Sequence, residues 1–322
     1  MNASVKRYIK ENNWIWAAAG ALLLWLIMGM VSGLMNLESL VANAYTAAFL
    51  AIAAVAQMLV MTTGRGAIDL SIPGVITFSA FVSMSVIDGQ DSRFLLGLGV
   101  VLLLGVLVGA INSLLVIYLH IPAIIATMAI NYILVTAALL INKGFTVFQI
   151  CPILLGATRN RIAGLPMILY LVVALAVLVV FVLKKTSYGK SLLALGQNIE
   201  AARLAGIKTV RVEMLTYVFS STLAAIAGML ISARVNGAFL GMGDSYMMET
   251  VASVVVGGTL VSGGKANTVG TLVGCLFLGL IITTMQIAGF QVGLQYVAKG
   301  VLIILVILLG TQSQEKRKKK TA

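Results

Sequence analysis

Residues 14 to 34 read WIWAAAGALLLWLIMGMVSGL, and apolar runs of this length recur along the chain. Nothing else in the sequence restricts the fold as much. A helix needs about 20 apolar residues to cross the hydrocarbon core of a bilayer, where backbone amides find no water and must bond within their own segment. The chain therefore reads as an all-α, polytopic membrane protein. A transmembrane β-barrel would show alternating stretches of about ten residues, which these continuous runs are not. With 60% of its 322 residues hydrophobic and 10% charged, a water-soluble fold would have too few polar side chains to cover its surface. Lys6, Arg7 and Lys10 precede the first run as in a signal peptide, but the run is too long and lacks a small-x-small cleavage site, so it reads as an uncleaved helix.

Ten transmembrane helices are expected, near 14 to 34, 41 to 61, 67 to 87, 94 to 119, 121 to 141, 167 to 183, 214 to 233, 248 to 262, 269 to 288 and 291 to 310. With a cytoplasmic N-terminus, sixteen Lys and Arg lie inside: Lys6, Arg7, Lys10, Arg65, the six from Lys184 to Arg211, Lys265, and the five from Lys316 to Lys320. Five lie outside, at Arg93, Lys143, Arg159, Arg161 and Arg234, and Lys299 falls within the last span. The positive-inside rule then puts both termini in the cytoplasm. The expected layout is a cytoplasmic segment 1–13, a transmembrane body 14–310 with a basic cytoplasmic loop 184–213, and a basic cytoplasmic tail 311–322. The net charge of +12 serves topology and anionic lipid, not nucleic acid, because the basic residues sit in loops and at the tail.

Glycine is abundant, at 32 residues, and occurs inside spans such as GLGVVLLLGVLVGA at spacings that let helix backbones approach closely. Two spans are interrupted. MTTGRGAIDLSIPG (61 to 74) and VVVGGTLVSGGKANTVG (254 to 270) set Gly, Pro and polar residues beside apolar helix. Broken helices persist at membrane depth only when buried in protein or lining a wet cavity, which marks a transport body rather than an anchor. The interruptions pair as a weak inverted repeat of the second to fifth predicted helices with the seventh to tenth: AIDLSIPGVITF lies opposite MMETVASVVVGG, matching Asp69 to Glu249.

Asp69 and Glu249 are two of ten acidic residues, and both adjoin spans. A carboxylate there is costly and marks function, or else it caps the first turn of a helix and complements its dipole. Lys299, near the middle of the last span, must be paired or face water. Gln57, Asn112, Asn131 and Gln286 are the polar residues within spans best able to bond a hydroxylated ligand, or they join helices. No metal framework follows from Cys151, Cys275 and the single His120. No catalytic constellation appears either. TSYGKS and GGTLVSGGKAN both miss the phosphate-loop pattern, since Lys184 and Thr259 stand where its first Gly belongs and Ala266 replaces the final Ser or Thr. There is no Gly-x-Ser-x-Gly elbow, and one histidine excludes the zinc-protease pattern.

LLALGQNIEAARLAGI (192 to 207) differs in kind, being a short charged piece within the longest basic loop. Asn198 is suited to cap a helix, Glu200 falls in its first turn, Arg203 can pair with Glu200, and Gly206 can end it. The helix so defined, 199 to 205, is too short to persist alone in water, where about 12 residues are marginal, so it rests on another surface. Ile199, Ala202 and Leu204 make a poor lipid anchor without aromatics. A protein groove suits them better.

SLLALGQNIEAARLAGI, preceded by KKTSYGK, resembles the cytoplasmic loop of bacterial ABC-importer permeases of the ribose/monosaccharide type, where it forms the coupling helix that docks into the ATP-binding subunit. TTGRGAIDLSIPG is similar to that family's Thr-x-Gly-x-Ile-Asp-Leu-Ser-x-Gly segment, and VASVVVGGTLVSGGKANTVGTLVG to its Gly-Gly-Thr-x-Leu-x-Gly-Gly segment, in the same order. The resemblance covers most of residues 41 to 310. It departs at Gln197, where the family carries a second glycine, at an inserted residue in GRGAID, and at Pro73. By resemblance, Gly196, Gln197, Asn198, Glu200, Ala201, Arg203 and Gly206 would couple to the ATPase. Thr63, Gly64, Asp69, Leu70, Ser71 and Gly74, with Gly257, Gly258, Gly263 and Gly264, would serve conformational change or the pathway, and Glu249 and Lys299 join them on the reading of their charges beside and within spans.

What the resemblance implies is the permease subunit of an importer in the bacterial inner membrane. Its partners would be ABC ATP-binding subunits, a second permease subunit and an extracytoplasmic solute-binding protein, with lipid around them. The chain would not be an enzyme and would hold no cofactor of its own, ATP and Mg residing on the partner. Its solute would be a monosaccharide or a similar hydroxylated molecule, with a nucleoside, a branched-chain amino acid or a furanone-type signal as alternatives. A different class, an ion-coupled secondary transporter using Asp69, Glu249 and Lys299, would need no partner.

Overall fold

A computed structural model describes residues 14–33, 36–144 and 149–291, and beyond these 293–295, 297, 298, 300, 301 and 304. Among them the chain is helical, apart from one two-stranded hairpin, β1 (Arg161–Ile162) with β2 (Leu165–Pro166). The helices are α1 (Trp14–Ser32), α2 (Leu37–Thr62), α3 (Ile72–Ile87), α4 (Phe94–Ser113), α5 (Ala123–Asn142), α6 (Pro152–Arg159), α7 (Met167–Lys185), α8 (Ser187–Gln197), α9 (Ile199–Leu204), α10 (Thr209–Val235), α11 (Tyr246–Val256) and α12 (Thr268–Ile287). Seven of these, α1, α2, α4, α5, α7, α10 and α12, are long and apolar enough to cross a membrane, so the chain is a multi-pass membrane protein.

At the two interruptions the expected helices are shorter than their predicted ranges. The range 67 to 87 contains a helix only from Ile72, and 248 to 262 contains one that ends at Val256. At 1.5 Å per residue the 16 residues of α3 and the 11 of α11 extend roughly 24 and 17 Å, short of the ~30 Å hydrocarbon core. The physical reason is on their flanks. Gly64, Arg65 and Gly66 turn left-handed in succession, with φ of 87°, 57° and 71°, and Pro73 stands at the start of α3, while Gly257 and Gly258 end α11. Two helices were not anticipated, α6, which begins at Pro152, and α8 with its cap Thr186, and the π-turn Leu114–Tyr118 that closes α4 is a further departure. The range 291 to 310 lies largely outside the described residues, as do 1–13 and Lys299.

The core is built on α2, in which every residue from Ala47 to Thr62 is buried. Against it pack α10, α11 and α12, and α10 in turn packs on α3 and α4. The α4 to α10 contact is a backbone approach: β-carbons at Gly105 and Gly109 would strike the α10 backbone at Thr222 and Val218. α1 lies outside, its Ala21 and Met28 closing on Leu280 of α12. By contrast α4, α5 and α7 keep broad apolar faces exposed, as helices in lipid do.

The loops sort to two ends. At one, the Asp91 carboxylate accepts from the Ile153 amide at 2.9 Å, and Arg159 donates to the carbonyls of Ala233 and Arg234 at 3.1 and 2.9 Å. At the other, residues 63–67, 116–124 and the 186–209 loop share a cavity wall. That second end holds Arg65, Lys184, Lys185, Lys190, Arg203, Lys208, Arg211 and Lys265, eight basic residues against five (Arg93, Lys143, Arg159, Arg161 and Arg234) at the first, among the described residues. It is called the basic end below.

Candidate functional site

Three backbone segments far apart in sequence meet at the basic end. The Gly264 amide donates to the Thr62 carbonyl at 3.0 Å, fastening the turn after α11 to the end of α2. Gly196, at the end of α8, lies against both: a β-carbon there would overlap the Thr62 carbonyl and the Gly264 amide. Gly64 sits beneath, where a β-carbon would come 2.9 Å from the Ser262 carbonyl and 3.0 Å from that of Gly196, and Gly263 would strike the Gly64 backbone. Gly64, Gly263 and Gly264 also have φ of 87°, 91° and 74°, a region that disfavours a side chain. The contact is backbone on backbone. Only glycine permits it, which is why the glycine-rich pieces at 61–66, 196 and 257–264 are spaced as they are.

From this junction α9 projects outward. The Asn198 side chain accepts from the Glu200 and Ala201 amides at 3.0 Å each, which caps the helix. Arg203 approaches Glu200 at 3.6 Å, and Gly206, with φ of 81°, ends the helix. Ala202 is buried against the bundle and Ile199 packs on the core, but Leu204 is 89% exposed, not turned inward with them. The outer face, comprising Gln197, Asn198, Glu200, Ala201, Arg203 and Leu204, is exposed throughout. α8 is held in turn by Tyr188, whose hydroxyl meets the Thr216 hydroxyl of α10 at 2.8 Å, and burial pushes the Tyr188 phenol up to about 12.

The other half of the site is the unwound stretch from Ile68 to Gly74. Its polar groups cannot reach water, so neighbouring helices satisfy them. The Gln57 amide of α2, oriented to serve both groups, donates to the Asp69 carbonyl at 3.0 Å and accepts from its N–H at 3.2 Å. Thr127 of α5 accepts from the Leu70 amide at 2.9 Å, and Asn131 from the Gly74 amide at 2.7 Å. Ser71 donates to the Asp69 carboxylate through its amide at 3.0 Å and its hydroxyl at 2.5 Å, and Ser220 of α10 donates to the other oxygen at 3.0 Å. Asn112 of α4 completes the network by donating to the Ser71 hydroxyl at 2.8 Å. Asp69 thus ties one stretch of chain to α10, and Gln57, Asn112 and Asn131 all converge on that stretch.

Glu249, paired with Asp69 in the repeat expected from sequence, is half-buried within the first turn of α11, whereas Asp69 is buried, so the two carboxylates have different surroundings. Gly257 packs against Gly270 at the start of α12, where Asn267 donates to the Gly257 carbonyl at 2.9 Å and caps Gly270 at 3.0 Å. Gln286 is exposed near the end of α12, away from the unwound stretch. Among the described residues no group of three His, Cys, Asp or Glu is positioned to hold a metal. Cys151 and Cys275 are free and buried, and burial pushes the Cys151 thiol up.

Residue-by-residue reading overlooked the ion pair between Arg65 and Glu213. Arg65 stands between two glycines in the turn after α2, and Glu213 lies in the second turn of α10, directly after the basic loop. The Glu213 side chain is 7% exposed and that of Arg65 60%. A charged residue set between two glycines beside an apolar span is the signal that was available. Ser220 and Thr127 gave none, since a lone hydroxyl in an apolar helix commonly bonds its own backbone.

The order and spacing of these segments match the model of a protein family described as branched-chain amino acid transport system / permease component, over residues 39–309. The chain belongs to this permease family. Among curated members, the permease is similar to the ribose import permease protein of Escherichia coli K12, at 30% identity over 274 residues covering 82% of this chain and 83% of the relative. It is likewise similar to the ribose import permease protein of Haemophilus influenzae, at 31% over 261 residues (76% and 78%). A shorter match, 30% over 179 residues (55% and 48%), is to the xylose transport system permease protein of the same organism. No solved structure matches it. As a permease of this family with seven apolar helices long enough to span, it is a multi-pass protein of the inner membrane.

Proposed function

We propose that this chain is the transmembrane subunit of an ATP-driven importer, forming the path for a monosaccharide or similar small hydroxylated solute while a separate ABC subunit hydrolyses ATP. The observation that carries this is the mounting of α9. It is capped at both ends, exposed along its outer face, and rooted at Gly196 and Gln197 against the turns that follow α2 and α11. A load on α9 therefore bears directly on the two broken segments. Between nucleotide states, a different fit of α9 in the partner's groove supplies the differential contact that any ligand-driven switch requires. The unwound stretch around Asp69, held by side chains of four helices, is the element able to rearrange, because its bonds exchange partners without breaking a helix.

The names of the relatives, ribose and xylose permeases, support a sugar over the amino acid of the family description. The remaining partners in this reading are a second permease subunit, an extracytoplasmic binding protein and membrane lipid. The positive-inside rule supports the basic end as cytoplasmic, where an ATPase would dock. The test reverses both charges of α9, Glu200→Arg with Arg203→Glu, which keeps the intrahelical pair while inverting the surface shown to the partner. Uptake and solute-stimulated ATPase activity are expected to fall together although the assembled complex is retained. Unaltered coupling in a normally assembled complex would overturn the assignment, as would gradient-driven uptake by this chain alone.

A further inference from the structure

A cavity of about 260 Å³ opens at the basic end between the end of α7, α8 and the start of α12. It exists because α8 folds back on α7: Gly189 lies on the Leu183 backbone, where a β-carbon would overlap it, and the Thr186 hydroxyl accepts from the Gly189 amide at 3.1 Å. The turn after α11 brings Lys265 to the same cavity that Lys184 reaches from α7. No carboxylate is among the lining residues, and the Asn267 side chain is already spent on Gly257 and Gly270, so the wall is net positive over an aliphatic lining that includes Val180, Leu183 and Leu193. Since α7 is a candidate span ending at Lys185 and α12 one beginning at Thr268, the cavity stands where hydrocarbon gives way to headgroups.

Below it the apolar lining continues into the bilayer. Val173, Val177, Val180 and Lys184 follow one another at four, three and four residues, which puts them on one face of α7. Val173 and Val177 are 58% and 65% exposed, Val180 lines the cavity, and Lys184 is exposed. From Lys184 this stripe runs roughly 16 Å into the hydrocarbon. Two ammonium groups on one wall favour an anion, and the stripe beneath them favours methylenes on the same molecule. A soluble anion would use only the lysines, and a zwitterionic lipid would bring a cation of its own towards them. We propose that this cavity binds the headgroup phosphate of an anionic phospholipid between Lys184 and Lys265, with one acyl chain along Val180, Val177 and Val173. Leu193 stands one turn before Gly196, and Lys265 follows Gly264, so the lipid touches two of the segments that meet at the glycine junction and braces the root of α9 from the membrane side. The inference goes beyond the importer reading and stands without it, needing only a chain that lies in a bilayer.

The test follows thermal unfolding of the purified full chain in detergent as dioctanoyl phosphatidylglycerol, dioctanoyl phosphatidylcholine or inorganic phosphate is added. Phosphatidylglycerol is expected to raise Tm saturably and the other two to leave it unchanged. Lys184→Gln with Lys265→Gln should raise the half-saturating concentration roughly twentyfold, each lysine contributing about fivefold. Lys185 and Lys190 are also exposed at this end but do not line the cavity, so Lys185→Gln with Lys190→Gln removes the same charge and should change it little. If the first double variant is already unfolded without lipid, Lys184→Gln alone decides, with a roughly fivefold rise expected. Equal effects inside and outside the cavity would reveal a diffuse surface attraction and overturn the site. A Tm rise with phosphate or phosphatidylcholine that matches the rise with phosphatidylglycerol would overturn it too. Repeating the titration on the complex isolated with its ATP-binding subunit separates lipid from protein: the shift is expected to persist, and its loss would give both lysines to the partner's docking surface.

Discussion

Gly196 and Gly206 lie ten residues apart in one loop and answer to different physics. At Gly196 a β-carbon would overlap the backbone of α2 and of the turn after α11, neither of which can yield, so Gly196→Ala is expected to cost about 2–3 kcal/mol by overpacking. At Gly206 nothing lies near, and only the φ of 81° resists a side chain, so Gly206→Ala should cost about 1 kcal/mol. Thermal unfolding of the purified protein in detergent would rank the two, and equal shifts would contradict the junction. The Arg65–Glu213 pair carries a similar asymmetry. Arg65→Ala strands a carboxylate that is 7% exposed, while Glu213→Gln leaves behind an arginine that water already reaches. The first is expected to lose of the order of 2 kcal/mol and the second much less, and Arg65→Ala with Glu213→Gln together should recover most of the loss. A double variant no more stable than Arg65→Ala would show that the pair's burial is not what matters. Arg65 between two glycines hinted at a special turn, but its pairing with Glu213 did not show in the sequence, because an ion pair across 148 positions leaves no local trace.

At the scale of elements, legibility followed the range of the interactions that make each one. The bounds of α9 were open to reading because caps are local: Asn198, Glu200, Arg203 and Gly206 act within two turns. The division of its apolar residues was not legible: Ala202 and Ile199 turn to the bundle and Leu204 is exposed, since which side of so short a helix meets the bundle depends on α10 and the junction, not on spacing. The interruptions at 61–74 and 254–270 were equally visible, through Gly and Pro, yet the lengths of α3 and α11 were overestimated. The flank of α3 stays unwound because Gln57, Thr127 and Asn131 supply the bonds a helix would have made, and those donors and acceptors belong to other spans. The capping predicts a dynamic consequence. Asn198→Ala removes the acceptor for two amides and about 1 kcal/mol of helix stability, so the Glu200 and Ala201 amides should exchange with solvent roughly fivefold faster, while those of α8 remain unchanged. Unchanged exchange at Glu200 and Ala201 would mean that contacts with the bundle, not the cap, hold α9.

For the molecule as a whole, the basic end can be assigned to a compartment by labelling. Leu204→Cys on α9 and Ile162→Cys on the hairpin are both exposed, at 89% and 53% in the native residues, and lie at opposite ends of the bundle. An impermeant maleimide added to intact cells should modify the hairpin thiol alone, and added to inside-out vesicles the α9 thiol alone; Cys151 and Cys275 should stay silent, the burial of Cys151 also pushing its thiol up and keeping it protonated. The reverse pattern would invert the topology. By itself the sequence determined that the chain lives in a bilayer, where its long apolar helices lie, where two of the predicted spans break, and that a capped helix stands in the basic loop. Those properties rest on run length, glycine and proline placement and capping, all of which act within a few turns of chain. Only the tertiary structure decided that the breaks and the root of α9 are one junction, that Asp69 is a tie to α10, and that Arg65 and Glu213 pair directly at the wall of a cavity. Those relations arise from packing between segments 50 to 200 residues apart, and side-chain chemistry read along a line has no means of expressing them.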